Sequence, residues 1–158
     1  MRWQEVIEHP ALQNLPFKIE LNEYGKIEMS PASNRHGRFQ SKILLLLERY
    51  GQHGEFYLEC SINTRKGVKV ADVAWSSQAF FEKYGEQTPL PVAPEICVEV
   101  ISPSNSKAEM REKIDLYLAK GAKEVWLCDD SGNIEMHNFE GMIEKSQLLC
   151  DFPDKIIN

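Results

Sequence analysis

No two cysteines in this chain stand at the spacing that a zinc site or a redox pair requires. Cys60, Cys97, Cys128 and Cys150 are scattered without a CxxC pair, which removes zinc-ribbon and thioredoxin-like chemistry. Cys97 and Cys128 lie inside apolar, strand-like runs, where a thiol behaves as a small hydrophobe, so the cysteines are read as reduced and inert. Long hydrophobic runs are lacking too. The longest aliphatic run is Ile43-Leu44-Leu45-Leu46-Leu47, against the ~20 residues of a membrane-spanning helix. The first residues, Met1-Arg2-Trp3-Gln4-Glu5, carry charge early and have no apolar stretch of the kind a secretion signal uses. A cytoplasmic protein with no membrane partner is therefore expected. Excess positive charge is also absent, the formal net charge being -6. A protein that binds DNA by counterion release has a basic domain or face. Any nucleic-acid contact here must be local, drawn from Arg35, Arg38, Arg65, Lys66, Lys69, Lys107 and Arg111. The same seven residues serve equally as scattered solvated charges.

No internal repeat, low-complexity tract or linker divides the chain. Its 158 residues suit one domain over 1–158 that buries about two thirds of its unfolded surface. With 42% apolar and 27% charged residues, disordered, collagen-like and membrane classes are not indicated.

Local patterns supply the elements. Arg2 to Glu8 is a short amphipathic segment closed by Pro10. Lys18-Ile19-Glu20-Leu21 and Lys26-Ile27-Glu28-Met29 flank the turn signal Asn22-Glu23-Tyr24-Gly25 and predict a hairpin ended by Ser30-Pro31. Ser33 or Asn34 caps a helix to about Tyr50, with Phe39, Ile43, Leu46, Leu47 and Tyr50 on its buried stripe. Strand-like residues Phe56 to Ile62 and the turn Arg65-Lys66-Gly67 lead into the strand that holds Asp72. A short helix from Ser76 or Ser77 through Tyr84 follows. The proline-rich segment from Thr88 to Pro94 excludes regular structure. Ser102-Pro103-Ser104-Asn105-Ser106 turns into a second long helix, with Ser102 and Ser104 as caps, the stripe Met110, Ile114, Tyr117 and Leu118, and a stop at Gly121. Val125 to Cys128 is an apolar strand, and Ile134 to Phe139 with Met142 to Lys145 form a hairpin about Glu140-Gly141. Residues 95–128 thus make a βαβ-like unit, and two long helices with several strands imply a mixed α/β sheet with helices packed on it.

Two acids break otherwise buried strands: Asp72 in Val70-Ala71-Asp72-Val73-Ala74-Trp75, and Glu99 in Ile96-Cys97-Val98-Glu99-Val100-Ile101. An isolated buried carboxylate is too costly for a marginally stable fold, so positive charge must meet both. Glu99 shares a face with Cys97 and Ile101, and Asp72 with Val70 and Ala74. On neighbouring strands the two would project to one place. Lys113, three residues after Met110 and four before Tyr117, falls on or beside its helix's buried stripe and is placed to meet them. One reading is a divalent-metal site, since Mg²⁺ takes carboxylate oxygens and is held by one or two carboxylates with substrate phosphate. A lysine beside it would orient water or steady charge during phosphodiester hydrolysis. The other reading, equally open on spacing alone, is a buried Asp-Lys-Glu network without catalysis. A shared metal site requires the carboxylates within about 8 Å, because Mg²⁺–oxygen bonds are ~2.1 Å.

Three stretches carry a family resemblance: Val70-Ala71-Asp72-Val73; Pro94-Glu95-Ile96-Cys97-Val98-Glu99-Val100-Ile101-Ser102-Pro103-Ser104; and Lys113-Ile114-Asp115-Leu116-Tyr117 with Gly121-Ala122-Lys123-Glu124-Val125-Trp126-Leu127. In order and spacing they resemble the bacterial putative restriction endonuclease family of the PD-(D/E)XK phosphodiesterase superfamily, over about Glu20 to Pro153. The resemblance implies a restriction-endonuclease-like mixed β-sheet flanked by helices, with Asp72 and Glu99 as acids for Mg²⁺ or Mn²⁺. The superfamily lysine stands two residues after the second acid, where this chain has Ile101. The family takes it from the following helix instead, which corresponds to Lys113. Glu20 matches a recurring family acid, as a further metal or water ligand or as an exposed hairpin charge. His36 matches a family histidine at the start of the first long helix, for phosphate contact or proton transfer, or else as a surface histidine. Ala71 replaces the family's proline.

The resulting expectation is a metal-dependent endonuclease acting on DNA, as a homodimer, with Asp72, Glu99, Lys113 and Glu20 catalytic. The alternatives are a catalytically inactive dimeric binding or assembly module of the same fold, and a metal-dependent hydrolase of small phosphate esters. Trp126 and Tyr117 are assigned to the core, and His9, His53 and His137 carry no partner spacing.

Overall fold

Period-two alternation on either side of Gly25 produces the first hairpin, β1 (Phe17–Leu21) paired antiparallel with β2 (Ile27–Pro31). It follows α1 (Trp3–Glu8) and a 3-10 turn at Pro10–Leu12. The computed structural model describes residues 1–157. This N-terminal unit has a small core of its own, in which Val6 and Leu21 pack with Val68. Gly67 permits the close approach. Its φ is +91°, and a Cβ there would lie 2.3 Å from the carbonyl oxygen of Leu21, so any side chain would push β1 away.

The main sheet has six strands in the order β3-β4-β5-β6-β7-β8. They are β3 (Gly54–Thr64), β4 (Gly67–Ser77), β5 (Ile96–Val100), β6 (Glu124–Cys128), β7 (Ile134–Asn138) and β8 (Gly141–Ile143). Only β5 and β6 run parallel, joined through a crossover helix; the other ladders are antiparallel. The sheet is therefore mixed and flanked by helices, as the sequence indicates.

Helix α2 (Asn34–Tyr50) covers one face, and its buried Phe39, Ile43 and Leu47 meet Val73, Val98 and Trp126. Helix α4 (Lys107–Ala119) covers the other, where Met110, Ile114, Tyr117 and Leu118 meet Ala74, Cys97 and Leu127. Burying each large apolar side chain contributes about 1.5–3 kcal/mol, so these stripes fix both helices against the sheet. The short α3 (Gln78–Tyr84) is capped by Ser77.

Two local expectations change. The cap of α4 is Ser106, whose Oγ accepts the Glu109 N–H at 3.1 Å. Ser102 and Ser104 lie in the preceding turn, where Ser102 Oγ donates to Asn105 Oδ1. A serine caps when its oxygen accepts a main-chain N–H two or three residues onward, and the turn brings this about at Ser106, two residues past Ser104. The proline-rich stretch is not wholly irregular either, since Leu90 forms a bridge with Ile62. Trp126 and Tyr117 are fully buried, as expected of core residues. Cys60, Cys97 and Cys128 are buried free thiols, and burial pushes Cys60 up to about 12.

Candidate functional site

The β4–β5 ladder pairs Trp75 with Ile96, Ala74 with Cys97 and Val73 with Val98. One step further, the same register would set Asp72 opposite Glu99, but the pairing stops there. Side chains take up the main-chain groups released. Val100 N–H donates to Asp72 Oδ2 at 2.7 Å, Gln40 Nε2 donates to the Asp72 carbonyl at 2.7 Å, and Val70 N–H donates to Glu20 Oε2 at 2.6 Å. Buried main-chain groups are nearly always paired, so these substitutions are what allow the two strands to part.

Five elements send charged or titratable side chains into the opening. Asp72 comes from β4 and Glu99 from β5, and they are only 1% and 2% exposed. Lys18 comes from β1 and sets its Nζ 3.1 Å from Asp72 Oδ1 and 2.9 Å from Glu99 Oε2. These contacts laid end to end place the two carboxylate oxygens within about 6 Å of each other. Lys113, from α4, sets its Nζ 2.9 Å from Glu20 Oε2 and 3.1 Å from Glu99 Oε1. Tyr117 OH also donates to Glu99 Oε1, at 2.7 Å. From the first turn of α2, His36 Nε2 lies 3.2 Å from Asp72 Oδ2.

The charges are strongly interdependent. Burial works to raise the Asp72 carboxyl, but Lys18 and then His36 outweigh it and hold it far below the usual carboxylate range. Burial likewise works against the Glu20 carboxylate, and Lys113 followed by Lys18 brings it below its ordinary value. Glu99 is the exception: burial dominates and raises it, with Lys113 and Lys18 offsetting only part. Desolvation disfavours the Lys18 ammonium, yet Glu99, Asp72 and Glu20 together raise it well above an ordinary lysine. The hydrogen bond to Asp72 raises His36. Desolvation, then the nearby Glu99 charge, lifts the Tyr117 hydroxyl far upward, so it stays a donor.

Asp72, Glu99, Lys113, Glu20 and His36 thus come together on one cavity of about 510 Å³. Lys66 and Lys69 also line it, paired with Glu112 at 3.2 Å and Glu28 at 3.6 Å. Glu20 is buried rather than an exposed hairpin charge, and it ties β1 to β4 through Val70. The residue that sequence reasoning missed is Lys18. A signal for it existed: two residues before Glu20 in a strand, it must share that residue's face.

The donor chemistry suits a hard divalent ion. Two carboxylate oxygens from different strands already meet on one cationic atom, and Mg²⁺ is commonly held by one or two carboxylates with water and phosphate. Among the described residues no group of three or more His, Cys, Asp or Glu side chains is gathered as a metal cage. Asp72 and Glu99 are the two carboxylates such an ion would use, with Glu20 engaged by Lys113 beside them.

The sequence pattern of Uma2, described as a putative restriction endonuclease, matches residues 3–150. The chain belongs to the Uma2 putative restriction endonuclease family. It is also similar in structure to a putative nuclease belonging to DUF820 from Anabaena variabilis ATCC 29413. The TM-score is 0.76 at 19% identity, covering 99% of this chain and 95% of that one. At that identity the likeness establishes the fold: the six-stranded mixed sheet with flanking helices is nuclease-like. Comparison with curated proteins gives no match. Lys113 delivers an ammonium to Glu99 from the helix that follows β5. No described helix is long and apolar enough to cross a membrane.

Proposed function

We propose that this chain is a Mg²⁺- or Mn²⁺-dependent endonuclease that hydrolyses DNA phosphodiester bonds in the cavity where β4 and β5 part. The observation that carries this reading is the convergence of Asp72 Oδ1 and Glu99 Oε2 on a single cationic atom. Asp72 and Glu99 would hold the ion through these oxygens. Bound there, the ion would supply Lewis acidity towards a phosphoryl oxygen and a more acidic water.

The chain's own groups do the rest. Lys113 and Tyr117 fix the outer oxygen of Glu99, leaving its other oxygen to accept from Lys18. His36 and the Val100 N–H do the same for the outer oxygen of Asp72. The Lys113 ammonium lines the cavity and is placed to steady charge that develops on a phosphate. Lys66 and Lys69 each have an acidic partner, which favours contact with the scissile phosphate and its neighbours over a long basic track.

The test is cleavage of plasmid and single-stranded DNA with Mg²⁺, Mn²⁺ or EDTA. Wild-type protein cleaves with metal and not with EDTA, and Asp72→Asn and Glu99→Gln are inactive. Activity that survives EDTA or either substitution sinks the reading.

A second reading is favoured by Lys18, whose ammonium already neutralises the two acids. Buried networks of this kind persist without catalysis, and the chain would then be a non-catalytic dimeric binding module. Calorimetry showing no Mn²⁺ binding, together with a dimer in sedimentation, would select it.

A further inference from the structure

We propose that Lys18 is the resident cation of the Asp72–Glu99 pair and that a divalent metal binds only by displacing it. This rests on the metal-dependent reading above and adds what that reading does not contain: a side chain of this protein that competes for the metal position.

The argument begins with which oxygen each cation touches. Each acid has an outer oxygen held by the scaffold. Asp72 Oδ2 faces His36 and the Val100 N–H, while Glu99 Oε1 faces Lys113 and the Tyr117 hydroxyl. The inner oxygens, Asp72 Oδ1 and Glu99 Oε2, meet only on Lys18 Nζ among the described residues. A metal that uses both acids needs those same two oxygens, at ~2.1 Å. An ammonium 3 Å from each cannot remain beside it, because like charges in contact repel strongly away from bulk water.

Charge balance points the same way. Glu20, Asp72 and Glu99 present three carboxylates to the two ammoniums of Lys18 and Lys113. Adding a divalent ion while keeping both lysines would leave an uncompensated positive charge in a buried place. Exchange of Lys18 for the ion lowers that excess by one charge, and the acids, Lys113 and the ion then balance with His36 in its neutral form.

Lys18 is also the member able to leave. Its side chain is 13% exposed and lines the cavity, as does that of Lys113 at 12%, so what distinguishes Lys18 is its place on β1 and the two inner oxygens it holds. It stands on a two-stranded hairpin separate from the main sheet. Its flexible four-carbon stem can swing the ammonium into the cavity without moving the strand. Lys113 has no such role: it bridges Glu20 to the outer oxygen of Glu99 and stays.

The experiment follows Mg²⁺ and Mn²⁺ binding by calorimetry and the lysine ammonium resonances by ¹H–¹⁵N NMR, in wild type and in Lys18→Gln. The NMR arm uses wild-type protein, so the test stands even if the variant does not fold. With the position always vacant, Lys18→Gln binds Mg²⁺ on the order of tenfold more tightly, since occupancy by Lys18 reduces the competent fraction of wild type. In wild type, saturating Mg²⁺ shifts or abolishes the Lys18 resonance and leaves that of Lys113. Mg²⁺ binding with the Lys18 resonance unmoved, or with equal affinity in the folded variant, overturns the displacement while the metal-dependent reading stands. No binding of either Mg²⁺ or Mn²⁺ in either protein overturns both.

Discussion

Asp72 Oδ2 accepts the main-chain N–H of Val100 at 2.7 Å, so a side chain of β4 stands where a strand carbonyl would otherwise hold β5. The carboxylate that the proposed chemistry needs is thus also the group that keeps the sheet open around it. Structure and site are joined in one side chain, and substitutions there separate the two roles.

Asp72→Ala removes the acceptor for Val100 and the partner of both Lys18 and His36. Breaking a buried pair from one side costs about 3–5 kcal/mol, and urea denaturation should show a loss of that size. Asp72→Asn keeps an oxygen for the Val100 N–H and should lose clearly less. Both should be inactive on DNA, which separates the charge requirement from the fold.

Tyr117→Phe tests how far Glu99 depends on its outer contacts. The hydroxyl donates to Glu99 Oε1 at 2.7 Å and is fully buried. A hydrogen bond to a charged group contributes about 1.5–3 kcal/mol, so chemical denaturation should show a loss in that range. Cleavage should weaken without vanishing, because Lys113 still holds the same oxygen.

His36 makes stability depend on pH. Its hydrogen bond to Asp72 raises it above the ordinary 6.5, so the folded chain holds the proton more tightly than the unfolded one. The contribution is full below pH 6.5 and is lost as the pH rises through the raised folded value. Asp72 acts with the opposite sense: lowered in the folded state, it contributes above 3.8 and its share is lost as the pH falls towards its folded value. Urea midpoints measured across the histidine range should decline with pH in wild type and flatten in His36→Gln.

Glu124 provides a control remote from the cavity. Fully buried on β6, it accepts from Trp126 Nε1 at 2.9 Å, Ser146 Oγ at 2.7 Å and the Gln147 N–H at 2.8 Å, tying the C-terminal segment to the sheet. Glu124→Ala strands these donors at about 1–3 kcal/mol each where they stay dry. Limited proteolysis should cut the C-terminal segment faster, while Mg²⁺ affinity of the folded protein is unchanged.

Much of the architecture was legible because it is local. Phe39, Ile43 and Leu47 on one stripe, Gly25 in a turn and the alternation about Glu20 each depend on neighbours a few residues away. Ser102, Ser104 and Ser106 all have the chemistry to cap α4, and only the path of the turn selects Ser106. Glu124 is also an acid in a buried strand, but the pattern around it does not mark it. It begins its run rather than interrupting it, and its partners in residues 146–148 show no pattern of their own.

By itself the sequence determined that Asp72 and Glu99 would be buried, that Lys113 would point inward, and that a mixed sheet would carry them, because strand and helix periods decide which way a side chain faces. Only the tertiary structure decided what meets them. Lys18 lies 54 residues from Asp72 and 81 from Glu99, and Glu20 lies 50 from Val70. Such contacts follow from where β1 crosses β4 and where the β4–β5 ladder ends. Periodicity sets a side chain's direction, but the position of the group opposite is fixed by the packing of whole elements.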